Sequence, residues 1–264
     1  MTRPGVPLVP KKMTPTTGRF PSAIPGFHGI REALIHGHFR IRELWFAEGK
    51  NSQRTKELIE MAKEKGVPVR FVRIEELERR FPDLHHQGMV AVSEPFAYSS
   101  LAEIAQRAGR EREWGLILAA DHITDEGNLG ALIRAGAFFG AAGLIIPKDR
   151  SAQVSPKVIK RSSGAAGLLA VCRVVNLRRA LDSLNEQGFW IIGTAGESTQ
   201  PVYEFDWKRN LVLVLGNEEG GLSSSVRNGC HAVVAIPRFG SMESLNVSVA
   251  AGVILGEIRR QQKQ

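Results

Sequence analysis

Short apolar runs alternate along this chain with longer amphipathic stretches, a pattern that predicts strands separated by helices. From Gly26 to about Pro95 it predicts a small α/β unit. A helix from about Gly29 precedes the strand ELWFA, and the helix SQRTKELIEMAKEKG is bounded by Ser52, an N-capping residue type, and by Gly66, a terminating one. The strand VPVRFV, the short helix EELERRF and the strand GMVAVS follow, and FAYSSLAEIAQRAGRERE, residues 96–113, reads as a linker carrying a polar helix.

From Trp114 a second series begins, with strand GLILAA, helix NLGALIRAGAFFG, strand GLIIP, a helix around SPKVIKRSSG and strand LLAVCRVV. It continues through helix LRRALDSLNEQG, strands FWIIGTA and LVLVLG, a short helix at LSSSVRNG, strand AVVAIP and a final helix. Strands alternating with helices predict a parallel sheet covered on both faces. In the last segment, Ile236 to Ile258, the apolar residues Leu245, Val247, Val249, Ala250, Val253, Ile254, Leu255 and Ile258 fall around the whole circumference at 100° per residue, as in a buried helix. Its first turn then carries Ser244, Asn246 and Ser248 into a buried place, where hydroxyls and orphan N–H groups need partners. A bound ligand and self-capping by the serines both supply them, and the segment alone leaves the two open.

Composition changes this picture in one place. The net charge is +8, and residues 1–25 hold Arg3, Lys11, Lys12 and Arg19 with no acid and six prolines, so half of the excess sits in a segment expected to be a disordered tail. Such a tail either strengthens binding to a polyanion or is simply solvated. Residues 26–95 nearly cancel, with 12 basic and 11 acidic side chains, so any contact of that unit with RNA must use a local patch. No stretch is apolar enough for a membrane span or a signal peptide, which predicts a cytoplasmic protein. Cys172 and Cys230 are the only cysteines, no CxxC is present, and the adjacent His85 and His86 point to different faces, so no metal site is expected.

Ligands of α/β sheets sit beyond the carboxyl ends of the strands, and three loops there stand out. In DHITDEGNLGALIRAG, Asp121 to Gly136, no GxGxxG occurs, which speaks against a nicotinamide oxidoreductase. Asn128 is placed to cap the helix. Arg134 stands among Gly130, Ala131, Ala137 and Phe138 with no carboxylate three or four residues away. It is either a snorkelling side chain, towards which spacing alone leans, or a guanidinium aimed at an external anion. In LVLVLGNEEGGLSSSV, Gly216 ends a strand and Gly220 and Gly221 allow a tight turn that carries Glu218. The third loop opens the final segment.

Taken together, NLGALIRAG, LVLGNEEGGLS and IPRFGSMESLNVSVAAG resemble, in order and spacing from about Trp114 to Arg260, the signature motifs of the SpoU (TrmH-type) RNA ribose 2′-O-methyltransferases. GFHGIREAL and HHQGMVAV are similar to the ribosomal-protein-like substrate domain of bacterial members that methylate a guanosine of large-subunit ribosomal RNA. The resemblance implies an α/β protein in which a small substrate-binding domain, 26–95, precedes a trefoil-knotted, parallel-sheet methyltransferase domain, 114–264; such a knot is a rare exception to ordinary topology. It implies S-adenosyl-L-methionine as cofactor, held through main-chain groups at Gly216, Ile236 and Leu245 with Thr194 nearby. It further implies Asn128, Arg134, Glu218, Ser244 and Asn246 as the polar residues of the site, RNA as substrate, and a homodimer with the sites at the subunit interface.

Two positions depart from the family pattern. Glu126 stands where proline is expected before the asparagine, and Ala135 follows the arginine where threonine is common; both are expected to loosen the first loop without removing a functional group. Because a guanidinium does not give up its proton in the biological range, Arg134 is expected to hold phosphate and stabilise charge on the 2′-oxygen, with Glu218 orienting Arg134 or a proton-accepting water. A non-catalytic RNA-binding module and a transfer RNA target are the competing readings.

Overall fold

The computed structural model describes residues 22–263 apart from positions 37, 38, 83, 111, 112 and 219. The first sheet contains β1 (Ser22–Pro25), β2 (Ile41–Ala47), β3 (Val69–Val72) and β4 (Met89–Ser93) in the order β1-β4-β2-β3. Only β2 and β3 pair parallel; β4 runs antiparallel to both of its neighbours. Helices α1 (Phe27–His36), α2 (Gln53–Glu64) and α3 (Ile74–Arg80) connect the strands, and the Ser52 hydroxyl accepts from Thr55 N to start α2 as expected. Residues 22–25, expected in the disordered tail, instead form β1, with Ala23 and Ile24 buried against β4. Four residues are too few to show an alternating pattern, and the strand exists because a neighbour supplies the hydrogen bonds. The rest of the expected tail lies outside the described residues.

The second sheet has the order β10-β8-β9-β5-β6-β7, built from β5 (Leu116–Ala120), β6 (Gly143–Pro147), β7 (Ala170–Val174), β8 (Trp190–Thr194), β9 (Leu211–Leu215) and β10 (Ala232–Val234). Every pairing in it is parallel. All residues of β5, β6 and β9 are buried, which is why these strands read as unbroken apolar runs. Side chains alternate between the faces: Leu116, Leu118 and Ala120 join the core under α5 (Glu126–Phe138) and α9 (Val247–Gln262), while Ile117 and Ala119 join the one under α4 (Leu101–Arg110), α7 (Leu177–Glu186) and α8 (Ser224–Arg227).

Helix α4 lies in the segment expected as a linker, yet it is packed. Leu101, Ile104, Ala105 and Ala108 follow a helical i, i+3, i+4, i+7 spacing, and Ile104 and Ala108 are buried on the sheet. A Cβ at Gly143 would stand 2.6 Å from Ile104 Cδ1, so the glycine that opens β6 is what lets α4 approach. The first unit rests on α6 (Pro156–Arg161) and on the 3-10 turn Ala165–Gly167, and one apolar cluster runs from Ile24, Ile30 and Phe39 to Val158, Ala165 and Ala166.

The final helix corrects the reading of a buried circumference. It begins at Val247, and Ala251, Ile254, Leu255 and Ile258 are buried, but Val249 and Val253 are 52% and 37% exposed and Leu245, before the helix, is 51% exposed. Apolar identity alone could not separate a core face from a face without a partner in the same chain. Near its end the buried Arg259 donates to the carbonyls of Phe139 (2.7 Å) and Gly140 (2.8 Å), satisfying the terminus of α5 and fixing the two helices side by side.

Candidate active site

The loops that leave β5, β9 and β10 meet at one end of the second sheet. Asp121, the first residue after β5, is fully buried; it accepts from Ser223 N at 2.7 Å and lies 2.6 Å from His122 Nδ1. The His122 backbone is left-handed (φ +56°) and its carbonyl accepts from Asn217 Nδ2 at 2.8 Å. These contacts tie the loop after β5 to the loop after β9 and line a cavity of about 410 Å³ with Gly220 and Gly221. In the loop after β9, Asn217 and Gly221 exchange two backbone hydrogen bonds of 2.9 Å, and Gly221 is left-handed (φ +63°). A Cβ at Gly216 would stand 2.3 Å from the Gly221 carbonyl carbon, so this turn needs the glycine the sequence places there.

The cap of α5 is Asp125, whose carboxylate accepts from Asn128 N at 2.7 Å. Asn128, expected as that cap, is the third helical residue, because the helix starts at Glu126, three positions before its first apolar residue, Leu129. The Asn128 side chain is thereby released for another role: Nδ2 donates to Glu218 Oε1 at 2.9 Å, and Oδ1 accepts from Asn246 Nδ2 at 2.9 Å. Asn246 Nδ2 also donates to Glu218 Oε1 at 2.7 Å, closing a three-residue group from three loops. A carboxylate only accepts, so Glu218 fixes which way both amides point.

Asn246 Oδ1 meanwhile caps α9, accepting from Ser248 N at 2.9 Å, Val249 N at 3.4 Å and Ser248 Oγ at 2.6 Å. The polar residues at this helix start are therefore satisfied by the asparagine and not by serine self-capping. They are also not buried as expected: Ser244 and Asn246 are exposed, and Ser244 stands outside the three-residue group.

Arg134 is not part of that group either. Its Nη1 donates to Ser163 Oγ at 3.1 Å, on the turn after α6, so within one chain Glu218 does not orient it. Six helical residues separate Asn128 from Arg134, about 9 Å along the axis and about 120° around it. Among the expected cofactor residues, Thr194 ends β8 and bonds Val214 O at 3.1 Å, Gly216 follows β9, and the half-buried Ile236 and exposed Leu245 lie on the loop between β10 and α9. The loops after β8 and β10 approach one another, since a Cβ at Gly196 would stand 3.9 Å from Glu243 O.

Of the departures, Glu126 does not leave its loop loose: it accepts from Ser155 Oγ and pairs with Lys157 Nζ at 3.5 Å, joining the starts of α5 and α6. Ala135 packs against the core. Sequence reasoning missed Asp121, Asp125 and Ser163; the acid directly after a buried strand and the acid three residues before Asn128 were the available signals for the first two. Burial pushes the Cys230 thiol up to about 11, which removes it as a nucleophile. Among the described residues no group of three or more His, Cys, Asp or Glu is arranged to hold a metal ion, and no helix is long and apolar enough to cross a membrane.

Comparison with known proteins gives this arrangement a family. The model of the SpoU rRNA Methylase family matches residues 115–256, and the model described as RNA 2′-O ribose methyltransferase substrate binding matches residues 23–99. The chain is 37% identical over 240 residues to the 23S rRNA (guanosine-2′-O-)-methyltransferase RlmB of Pseudomonas putida, covering 91% of this chain and 96% of that protein. It is 38% identical over 236 residues to the protein of the same name from Pseudomonas aeruginosa, covering 89% and 95%. The fold matches the crystal structure of the SpoU methyltransferase AviRb from Streptomyces viridochromogenes in complex with its cofactor AdoMet, with a TM-score of 0.77, 27% identity and coverage of 91% and 90%. With the motif loops meeting at the carboxyl ends of a parallel sheet and both family models matched in order, the chain belongs to the SpoU rRNA methylase family.

Proposed function

We propose that this protein transfers a methyl group from S-adenosyl-L-methionine to the ribose 2′-hydroxyl of a guanosine in 23S ribosomal RNA. The observation that carries the reading is the convergence of Asn128, Glu218 and Asn246, one from each motif loop, into a single hydrogen-bonded group beside the cofactor loops. The identity of 37% and 38% to the Pseudomonas enzymes, along nearly the whole of both chains, supports the substrate.

The residues present fit the cofactor. The loops after β8 and β10 come close enough that a Cβ at Gly196 would stand 3.9 Å from Glu243 O, and Gly216, Ile236 and Leu245 would hold the cofactor there through main-chain groups, with Thr194 at the end of β8 nearby. Bound S-adenosylmethionine supplies a methyl group on a positively charged sulfur. The task of the chain is to align the 2′-hydroxyl, exclude bulk water and take up one proton as the new O–C bond forms and the S–C bond breaks. Arg134 holds an RNA phosphate and stabilises the charge developing on the 2′-oxygen. Glu218, oriented by the two asparagine amides, positions the water that accepts the proton, and Ser244 contacts the substrate from the rim.

The same reading includes a homodimer. Leu245, Val249 and Val253 at the start and first half of α9 are 51%, 52% and 37% exposed, Phe138 near the end of the neighbouring α5 is 83% exposed, and Arg134 lies on α5, apart from the group it is to serve. A second copy packed there covers these apolar side chains and brings the two halves together. It also includes the division into an RNA-binding domain, 26–95, a connecting segment, 96–113, and a catalytic domain, 114–264, together with the trefoil knot. The test is Arg134→Lys at saturating RNA. Loss of at least tenfold in turnover is expected, and near-native turnover overturns the geometry-dependent role.

A further inference from the structure

We infer that Ser163 is a positioning residue for Arg134, presenting the guanidinium to RNA from a turn whose shape is fixed by the substrate-binding unit; the inference rests on the reading of Arg134 given above. Ser163 has φ +51°, a left-handed backbone that is unfavourable for a non-glycine residue. Glycine would occupy this position without that cost, and the serine is exposed, so its hydroxyl is not needed to satisfy a buried group. The bond this hydroxyl makes is the one to Arg134 Nη1 at 3.1 Å. Strain of this kind persists where the surroundings over-determine it and is characteristic of functional positions.

The surroundings do over-determine it. On one side, the fully buried Ser162 donates to Ile159 O at 2.9 Å and accepts from Ala166 N at 3.2 Å, locking the turn to the end of α6. On the other, Gly164 (φ +90°) lies so close to α1 that a Cβ there would stand 2.6 Å from Glu32 Cγ and 3.5 Å from His28 O. Helix α6 is held against α5 where a Cβ at Gly130 would meet Arg161 Cβ at 2.6 Å. The Ser163 hydroxyl therefore has its place set by α5, α6 and the first helix of the substrate-binding unit at once. An arginine side chain has many rotamers to lose on ordering, so a tether of one N–H leaves the other donors aligned for a phosphate before RNA arrives.

Two substitutions test this on the full-length protein with S-adenosylmethionine and an unmodified 23S rRNA transcript. Ser163→Gly removes the hydroxyl while relieving the backbone, so the fold stands; Ser163→Asn keeps a side-chain acceptor on a residue that tolerates the left-handed region. Ser163→Gly is expected to lower kcat about tenfold with cofactor affinity and KM for RNA near native and Tm unchanged or raised, and Ser163→Asn to recover most of kcat. Native kcat in Ser163→Gly, alongside an inactive Arg134→Ala, overturns the inference and leaves the reading of Arg134 standing. Native kcat in Arg134→Ala overturns both. A loss in Ser163→Gly that appears in KM for RNA alone, or that Ser163→Asn does not restore, assigns Ser163 to the docking surface and also overturns the positioning role.

Discussion

Asn246 performs two tasks that substitution can separate. Its carbonyl oxygen caps α9, and its amide donates to Asn128 at 2.9 Å and to Glu218 at 2.7 Å. Asn246→Ala removes both. A lost cap costs about 1 kcal/mol and each of two exposed side-chain hydrogen bonds about 0.5 kcal/mol, giving about 2 kcal/mol and a fall in Tm of roughly 4–8 °C for a chain of this size.

Asn246→Asp keeps the cap acceptor and adds negative charge at a helix start, favourable by about 0.5 kcal/mol, but sets a second carboxylate against Glu218. Two unit charges about 4 Å apart repel by about 1 kcal/mol in water and about 4 kcal/mol at an effective dielectric of 20. Both side chains are exposed, so the lower figure applies. The pair takes up a proton more readily in the folded state, where the carboxylates are adjacent, than in the unfolded chain. The folded state then binds more protons, and stability relative to the unsubstituted protein rises as pH falls. Thermal unfolding followed by circular dichroism at pH 8 and pH 4 should show a deficit in Asn246→Asp at pH 8 that is partly regained at pH 4, below the ordinary carboxylate range, and a deficit in Asn246→Ala that is the same at both. If the Asp variant's offset from the unsubstituted protein does not move between the two pH values, Glu218 is not its neighbour and the three-residue group is refuted.

Other consequences follow from particular contacts. Gly130→Ala gains about 1 kcal/mol of helix propensity but drives a Cβ to 2.6 Å from Arg161 Cβ, so a net loss of about 1–2 kcal/mol is expected in urea unfolding; a stabilised variant would contradict the close α5–α6 packing. Cys230, half-buried and with its thiol pushed up to about 11, should react with iodoacetamide at pH 8 on the order of 100-fold more slowly than an ordinary thiol, a rate readable by mass spectrometry, and rapid alkylation of the folded protein would show that the thiol is not held in its protonated form. If the proposed homodimer uses the exposed stripe of α9, the unsubstituted protein should sediment as a dimer and Val249→Glu as a folded monomer; equal masses for the two would contradict that contact.

Much of the fold was legible because parallel strands buried on both faces leave unbroken apolar runs, as in β5, β6 and β9. What escaped depended on partners remote in sequence. Strand β1 is too short to carry a pattern and is made by β4; α4 has a clear apolar side, hidden within a charged segment that invited the reading of a linker. In α9 the apolar residues were read correctly as apolar and wrongly as all buried, since the stripe through Val249 and Val253 faces away from its own chain.

The site divides in the same way. That the loops at the strand ends carry the chemistry followed from the architecture, but Asn128 and Glu218 are 90 residues apart and Glu218 and Asn246 are 28 apart, distances no local periodicity spans. Only the family resemblance grouped them, and it grouped Arg134 with them too, whereas within one chain Arg134 turns to Ser163, 29 residues on.

The central claim is tested most directly by incubating the protein with methyl-labelled S-adenosylmethionine and unmodified 23S ribosomal RNA, with transfer RNA in parallel, and mapping any modified ribose. The expected result is label on the 2′-oxygen of a single 23S guanosine, absent from transfer RNA and lost with Arg134→Ala. Label confined to transfer RNA would contradict the substrate, and no label in either RNA, with the cofactor bound, would contradict the assignment of this chain as a methyltransferase.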